Sequence, residues 1–195
     1  APYHAIWFAE TVFEALDELG LAGVHLAGNS LGGRVAIEMA LARPQRVRSV
    51  AAICPAVAFV KRDFRHIVRV LRPEFGLLPH RFTRGAVDAQ LRDLFCDVSA
   101  LDPSMADIVV DEFQRIYASP GARMAFLSTA RNIYLDQPYG RGGFYRRLAE
   151  LAPPALFLWA THDRLIPAAF ERHVARALPG ADHVILDDCG HMPQV

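Results

Sequence analysis

The chain has 195 residues, 52% hydrophobic and 22% charged, the balance of a globular protein with one substantial core. Twenty-one basic against twenty-one acidic residues leave no global attraction to nucleic acid or to an anionic membrane. No apolar run approaches the roughly 20 residues of a membrane span, so stable membrane insertion is not expected. Cys54, Cys96 and Cys189 have no metal-ligand spacing, and their odd number favours a reducing, cytoplasmic compartment. Because the chain runs from Ala1-Pro2 straight into helix-like sequence, a targeting segment upstream would not show.

From about His4 to Leu19, Ile6, Ala9, Phe13, Leu16 and Leu19 recur at helical spacing, and Gly20 supplies a left-handed stop. Val24 to Ala27, bounded by Gly23 and Gly28, is too short for a helix and reads as a buried strand of a parallel sheet. The stretch Gly28-Asn29-Ser30-Leu31-Gly32-Gly33 follows, a G-x-S-x-G pattern between that strand and an amphipathic segment. Gly28 and Gly32 are expected to let strand and helix backbones approach closely, leaving Ser30 at the apex of a strained turn. The first amides of the next helix would stand beside it, where unpaired N–H groups favour negative charge. Helical signal runs through Val35, Ile37, Met39, Ala40 and Leu41 to Arg43-Pro44, where proline pushes the preceding residue out of helical geometry. Val47 to Cys54 makes a second strand.

After Pro55, up to about Ala152, helical periodicities and loops replace strands. A first helix places Val60, Phe64, Ile67, Val68 and Leu71 on one side, with Lys61, Arg62, Arg65, Arg69 and Arg72 elsewhere, read as a solvated face in preference to a recognition patch for anionic substrates or lipid surfaces. Further helices are expected from Thr83 to Phe95, Pro103 to Tyr117 and Gly121 to Tyr134. Asp136 to Gly143 is a linker, because proline and three glycines prevent regular structure, and Pro153-Pro154 closes the insertion. Ala155 to Ala160 resumes the strand pattern and ends at Thr161-His162-Asp163. A helix through Phe170, Val174, Ala177 and Leu178 follows, then a last strand, Val184 to Leu186, before Asp187-Asp188-Cys189-Gly190-His191.

Alternating helices and strands indicate an α/β fold with a parallel sheet, whose ligand sites lie at the carboxyl ends of the strands. Ser30, Asp163 and His191 all fall at such ends, in that order. A serine hydroxyl is a weak nucleophile near neutral pH. It needs an imidazole to take its proton, and the imidazole needs a carboxylate to fix its tautomer. Taken alone, each residue has an ordinary reading: the serine pattern as a turn, Asp163 as a helix cap before Pro167, and His162 or His183 as rivals to His191. The position after the second strand offers no acid until Asp63. Phe59, Phe64, Phe126 and Tyr134 read as core.

The ordered combination resembles the α/β-hydrolase superfamily, in particular its cap-bearing esterase-like and carbon–carbon hydrolase branches. The resemblance rests on the elbow at Gly28 to Gly33, the helical insertion, the acid loop His162-Asp163-Arg164-Leu165-Ile166-Pro167 and the histidine loop Gly190-His191. It implies a partial α/β-hydrolase sheet formed by residues 1–56 and 153–195, with 57–152 as a helical cap. It also implies a triad of Ser30, Asp163 and His191, with the Leu31 backbone amide in the oxyanion hole. The second oxyanion donor usually lies in a His-Gly loop, and no such pair occurs in this sequence, so the chain is expected to be an interior piece of a longer hydrolase. The implied activity is cleavage of a carboxylic ester of a small to medium apolar molecule, with no metal or organic cofactor. Asn29 beside the nucleophile is a candidate substrate contact and points to the alternative of carbon–carbon cleavage in a β-diketone-type compound. A non-catalytic ligand-binding protein on the same scaffold, or an inactive fragment, is the third reading.

Overall fold

The computed structural model describes residues 3–60, 64–78, 83–97, 99 and 102–195. Helix α1 (Ala5–Glu18) buries Ala9 and Phe13, begins where the His4 ring accepts the Trp7 N–H at 3.1 Å, and ends before Gly20, at φ 69°. Strand β1 (Val24–Asn29) leads through Ser30 into α2 (Leu31–Ala42), whose Ala36, Ile37, Met39 and Ala40 are buried. Strand β2 (Val47–Ile53) follows.

Among the described residues, four helices then come before the chain rejoins its core: α3 (Arg65–Val70), α4 (Arg84–Leu94), α5 (Pro103–Tyr117) and α6 (Pro120–Leu135). Next come the short helix α7 (Phe144–Leu148), strand β3 (Ala155–Ala160), helix α8 (Glu171–Ala177) and strand β4 (Asp182–Leu186). The strands are ordered β1-β2-β3-β4, all parallel. Their registers pair Asn29 with Ile53, Ile53 with Leu158 and Ala160 with Leu186, so the four carboxyl ends lie along one edge of the sheet.

Two expectations shift. The first insertion helix is only six residues long and gives way to a 3-10 turn at Pro73–Leu77, because Pro73 holds Arg72 extended at φ −78°, ψ 126°. Lys61, Arg62 and Asp63 lie outside the described residues. Part of the stretch expected in the insertion also packs with the main core. Phe144, Tyr145, Leu148 and Leu151 belong to the main core with Ile37, Phe157 and Trp159, as do Val57 and Ala58. Phe144, Tyr145 and Leu148 form one apolar face of little more than a single turn, too short to register as a helix beside the glycine-rich linker.

The insertion has its own small core of Val87, Leu91 and Val110. Phe59, Phe64, Tyr134 and Phe170 join it to the sheet: the Phe59 ring stacks on Tyr134 at 5.3 Å and meets Phe64 and Phe170 edge-on. Among the described residues, no helix is long and apolar enough to cross a membrane.

Candidate active site

Ser30 stands between the last residue of β1 and the first of α2 at φ 54°, ψ −118°. Such a conformation costs a non-glycine residue on the order of 1–3 kcal/mol and persists only where its surroundings enforce it. Here three main-chain bonds do so. The Ser30 N–H donates to the Ile53 carbonyl at 2.9 Å, and the Ser30 carbonyl accepts from Arg34 at 3.1 Å and Ala56 at 2.9 Å. A Cβ on Gly28 would lie 2.3 Å from the Gly32 carbonyl carbon, and one on Gly33 would lie 2.8 Å from the Gly28 oxygen. Gly32 itself faces open space. The close approach expected of Gly28 and Gly32 therefore requires Gly28 and Gly33 instead, because the helix turns the missing side chain of Gly32 away from the strand. As the first residue of α2, Leu31 keeps an amide without an intrahelical acceptor, beside the serine.

The Asp163 carboxylate divides its oxygens. Oδ1 accepts the N–H groups of Leu165 and Ile166, both at 2.8 Å, and Oδ2 accepts His191 Nδ1–H at 2.7 Å. The bonds that cap the following loop and the bond to His191 thus coexist on one side chain. The His191 and Asp163 side chains are 3% and 0% exposed, so their bond is shielded from water. An ionised carboxylate only accepts, which puts the neutral ring's proton on Nδ1 and leaves Nε2 with a lone pair. The rivals are engaged elsewhere. His183 accepts the Trp159 indole N–H at 3.2 Å and stacks on Phe157 at 5.3 Å, while His162 is exposed.

Asn29, the candidate substrate contact, has its amide nitrogen engaged within the protein. Its Nδ2 donates to the carbonyls of Ile53, at 3.2 Å, and His191, at 2.9 Å, so the amide ties the end of β1 to the histidine loop. On the other side of that loop, the Met192 N–H donates to the Leu94 carbonyl at 3.3 Å, and a Cβ on Gly190 would lie 2.6 Å from Cys96 N. The insertion thereby rests directly on the segment carrying His191.

Cys54 is not among the site residues that the sequence indicates. It directly follows β2 at φ 41°, is 1% exposed, and brings its sulfur within 4.8 Å of an Asp163 oxygen and a His191 nitrogen. Burial, followed by the neighbouring Asp163 charge, pushes its thiol up to about 12. Only the register of β2 against β3 reveals this neighbourhood, and no spacing along the chain encodes it.

Residues 2–195 match the family described as the alpha/beta hydrolase fold. The chain belongs to that family. Among similar proteins is the dihydrolipoyllysine-residue acetyltransferase component of the acetoin cleaving system of Cupriavidus necator, 29% identical over 92% of this chain and 44% of that protein. Another is the 2-hydroxy-6-oxononadienedioate/2-hydroxy-6-oxononatrienedioate hydrolase of Paraburkholderia xenovorans, 27% identical over 92% of this chain and 59% of that protein. The enol-lactonase of Burkholderia xenovorans LB400 shares the fold at a TM-score of 0.73 and 20% identity, over all of this chain and 68% of that one. The chain thus spans about half the length of the two sequence relatives.

Beside the elbow of this α/β-hydrolase lies a buried charge network. Glu38 accepts from Arg34 Nε at 2.9 Å and from both terminal nitrogens of Arg147, at 2.6 and 2.8 Å. Arg34 also pairs with Asp136 at 2.5 Å, donates to the Ala56 carbonyl at 3.3 Å and lies 4.0 Å over the Phe144 ring. Burial pushes Glu38 up, but the Arg147 hydrogen bond and the charges of Arg34 and Arg147 outweigh it and hold the carboxyl below its usual range. A cavity of 240 Å³ opens here, lined by this network together with Leu31, Ala56 and insertion residues Thr129, Asn132 and Ile133. Ser30, Asp163 and His191 do not line it, but Leu31, next to Ser30, does.

Proposed function

We propose that the protein is a serine hydrolase in which Ser30, His191 and Asp163 act as nucleophile, base and orienting acid on a carboxylic ester of a small to medium apolar molecule. The observation that carries this reading is the shielded 2.7 Å bond from His191 to Asp163, at the same sheet edge as a serine held at positive φ. His191 Nε2 takes the hydroxyl proton as Ser30 Oγ bonds to the substrate carbonyl carbon, and the Leu31 amide donates to the resulting oxyanion. The C–O bond of the ester then breaks, His191 returns the proton to the departing alcohol, and an acyl group remains on Ser30. Water attacks that acyl group, His191 takes its proton and then passes it to Ser30 Oγ, and the acid leaves. Neither step needs a metal or organic cofactor.

Cleavage of a carbon–carbon bond in a β-diketone-type compound is the second reading, supported by the Paraburkholderia relative. The neutral charge balance supports a small-molecule partner rather than a nucleic acid, and the three unpaired cysteines support a reducing, cytoplasmic setting. A fluorophosphonate probe followed by peptide mapping is expected to mark Ser30 and no other residue. Absence of that adduct would leave a ligand-binding scaffold or an inactive fragment. Parallel kcat/KM values for short p-nitrophenyl esters and a ring-fission diketone then separate the two reactions, with the esters expected to be faster.

A further inference from the structure

Three chemically different donors meet at the sheet edge. Cys54 follows β2, Asp163 follows β3, and His191 lies in the loop after β4. One atom from each, a sulfur, a carboxylate oxygen and a ring nitrogen, lie within 4.8 Å of one another, and the residues are 1%, 6% and 2% exposed. A zinc-sized ion holds sulfur at about 2.3 Å and nitrogen and oxygen at about 2.0–2.2 Å in a tetrahedron, which puts its ligand atoms roughly 3.3–3.8 Å apart. The cluster needs adjustments of no more than about 1 Å to match: the 2.7 Å His191–Asp163 contact opens and the widest separation closes.

We propose that Cys54, Asp163 and His191 form a binding site for a thiophilic divalent cation of the zinc or cadmium type, and that its occupation inhibits the hydrolase. A thiolate and a carboxylate neutralise the dication, so the filled site carries no net charge into a buried region. Magnesium and calcium are not suited, because they require six or more hard oxygen ligands or their own water shell.

The proton balance explains the inhibition. The ion displaces the Cys54 thiol proton into solvent and takes the Nδ1 lone pair of His191. The ring stays neutral only if its proton moves to Nε2, so one proton is released per ion. His191 then presents an N–H to Ser30 where it must present a lone pair. This inhibition rests on the triad reading, whereas binding of the ion does not. Because the donors are buried, the ion enters only when the surrounding loops open, and onset is slow.

The test uses cadmium in a Cys96→Ser, Cys189→Ser background, which removes the two other thiols. The expected result is a thiolate-to-cadmium charge-transfer band with one ion and one released proton per chain, lost in Cys54→Ser. Labelling of Ser30 by a fluorophosphonate falls at least tenfold as the band grows and recovers with a chelator, while labelling of Cys54→Ser is the same with and without cadmium. Should Cys54→Ser fail to fold, His191→Gln decides the site, keeping the band but needing at least tenfold more cadmium. Absence of the band, or a band that survives Cys54→Ser, overturns the site. A full band with unchanged labelling overturns the inhibition. If Ser30 is unlabelled even without cadmium, the triad reading fails, and the band alone decides whether the cation site exists.

Discussion

The Asn29 amide donates to the His191 carbonyl at 2.9 Å across 162 residues of chain, and the same nitrogen reaches the Ile53 carbonyl. One side chain thus holds the histidine loop to the strand that presents Ser30. Replacing it removes the donor to the part-buried His191 carbonyl, at a cost of about 1–3 kcal/mol, while the Ile53 carbonyl keeps the Ser30 N–H. Asn29→Ala is therefore expected to lower kcat roughly tenfold with KM nearly unchanged, since the loss falls on His191 placement. Asn29→Asp, which has no amide donor, does no better. Steady-state kinetics on one ester decides the matter: a raised KM with intact kcat would return Asn29 to substrate binding.

Asp163→Asn separates the two duties of that carboxylate. Its retained carbonyl oxygen can still accept from Leu165 and Ile166, so the loop folds, but its amide presents a donor to His191 and reverses the tautomer. A fall in kcat of about four orders of magnitude is expected, with fluorophosphonate labelling of Ser30 slowed in parallel. Thermal unfolding of the same sample checks that the fold survives.

The elbow makes opposite predictions for two neighbouring glycines. Gly28→Ala would place a methyl group 2.3 Å from main-chain carbon, so the strand and helix must separate, and the protein should lose several °C of Tm or fail to fold. Gly32→Ala meets open space within a helix, where alanine is favoured over glycine by about 0.5–1 kcal/mol, and should raise Tm slightly. Differential scanning calorimetry of the two variants compares them directly.

Glu38 is the hub of the charge network, and its carboxyl is held below the usual range of about 4.3. A carboxyl with a depressed folded pKa contributes stability that is fully present above its unfolded value and is lost as pH falls through the folded one. Acid unfolding of the native protein should therefore include a Glu38 component at and below about pH 4 that is missing in Glu38→Gln. At neutral pH this variant leaves Arg34 and Arg147 facing each other and should cost about 3 kcal/mol, the low end for a broken buried pair, because Arg147 is 28% exposed and Arg34 retains Asp136. Urea unfolding at pH 7 and pH 4 measures both.

Gly190 is the seat of the insertion on the histidine loop. A methyl group there would lie 2.6 Å from Cys96 N and 2.7 Å from the Leu94 carbonyl. Gly190→Ala is expected to lift the α4 end from the loop, lowering kcat and accelerating amide exchange at Met192, whose N–H now bonds to Leu94. Hydrogen exchange read at that residue is the check.

What the sequence determined by itself is local. Helical spacing of apolar residues fixed α1, α2, α4, α5 and α6 to within a few residues, because that periodicity follows directly from the helix repeat. The short apolar runs before Ser30 and Thr161 identified strands, and Ser30, Asp163 and His191 were legible because each follows a strand at a turn. The tertiary structure decided everything that depends on register. It gave Asn29 to the histidine loop, moved α7 into the core, exchanged Gly32 for Gly33 in the tight elbow and brought Cys54 beside Asp163. Parallel strands joined by long crossovers set their neighbours by packing, so residues separated by more than a hundred positions meet at one sheet edge with no periodicity along the chain to announce it.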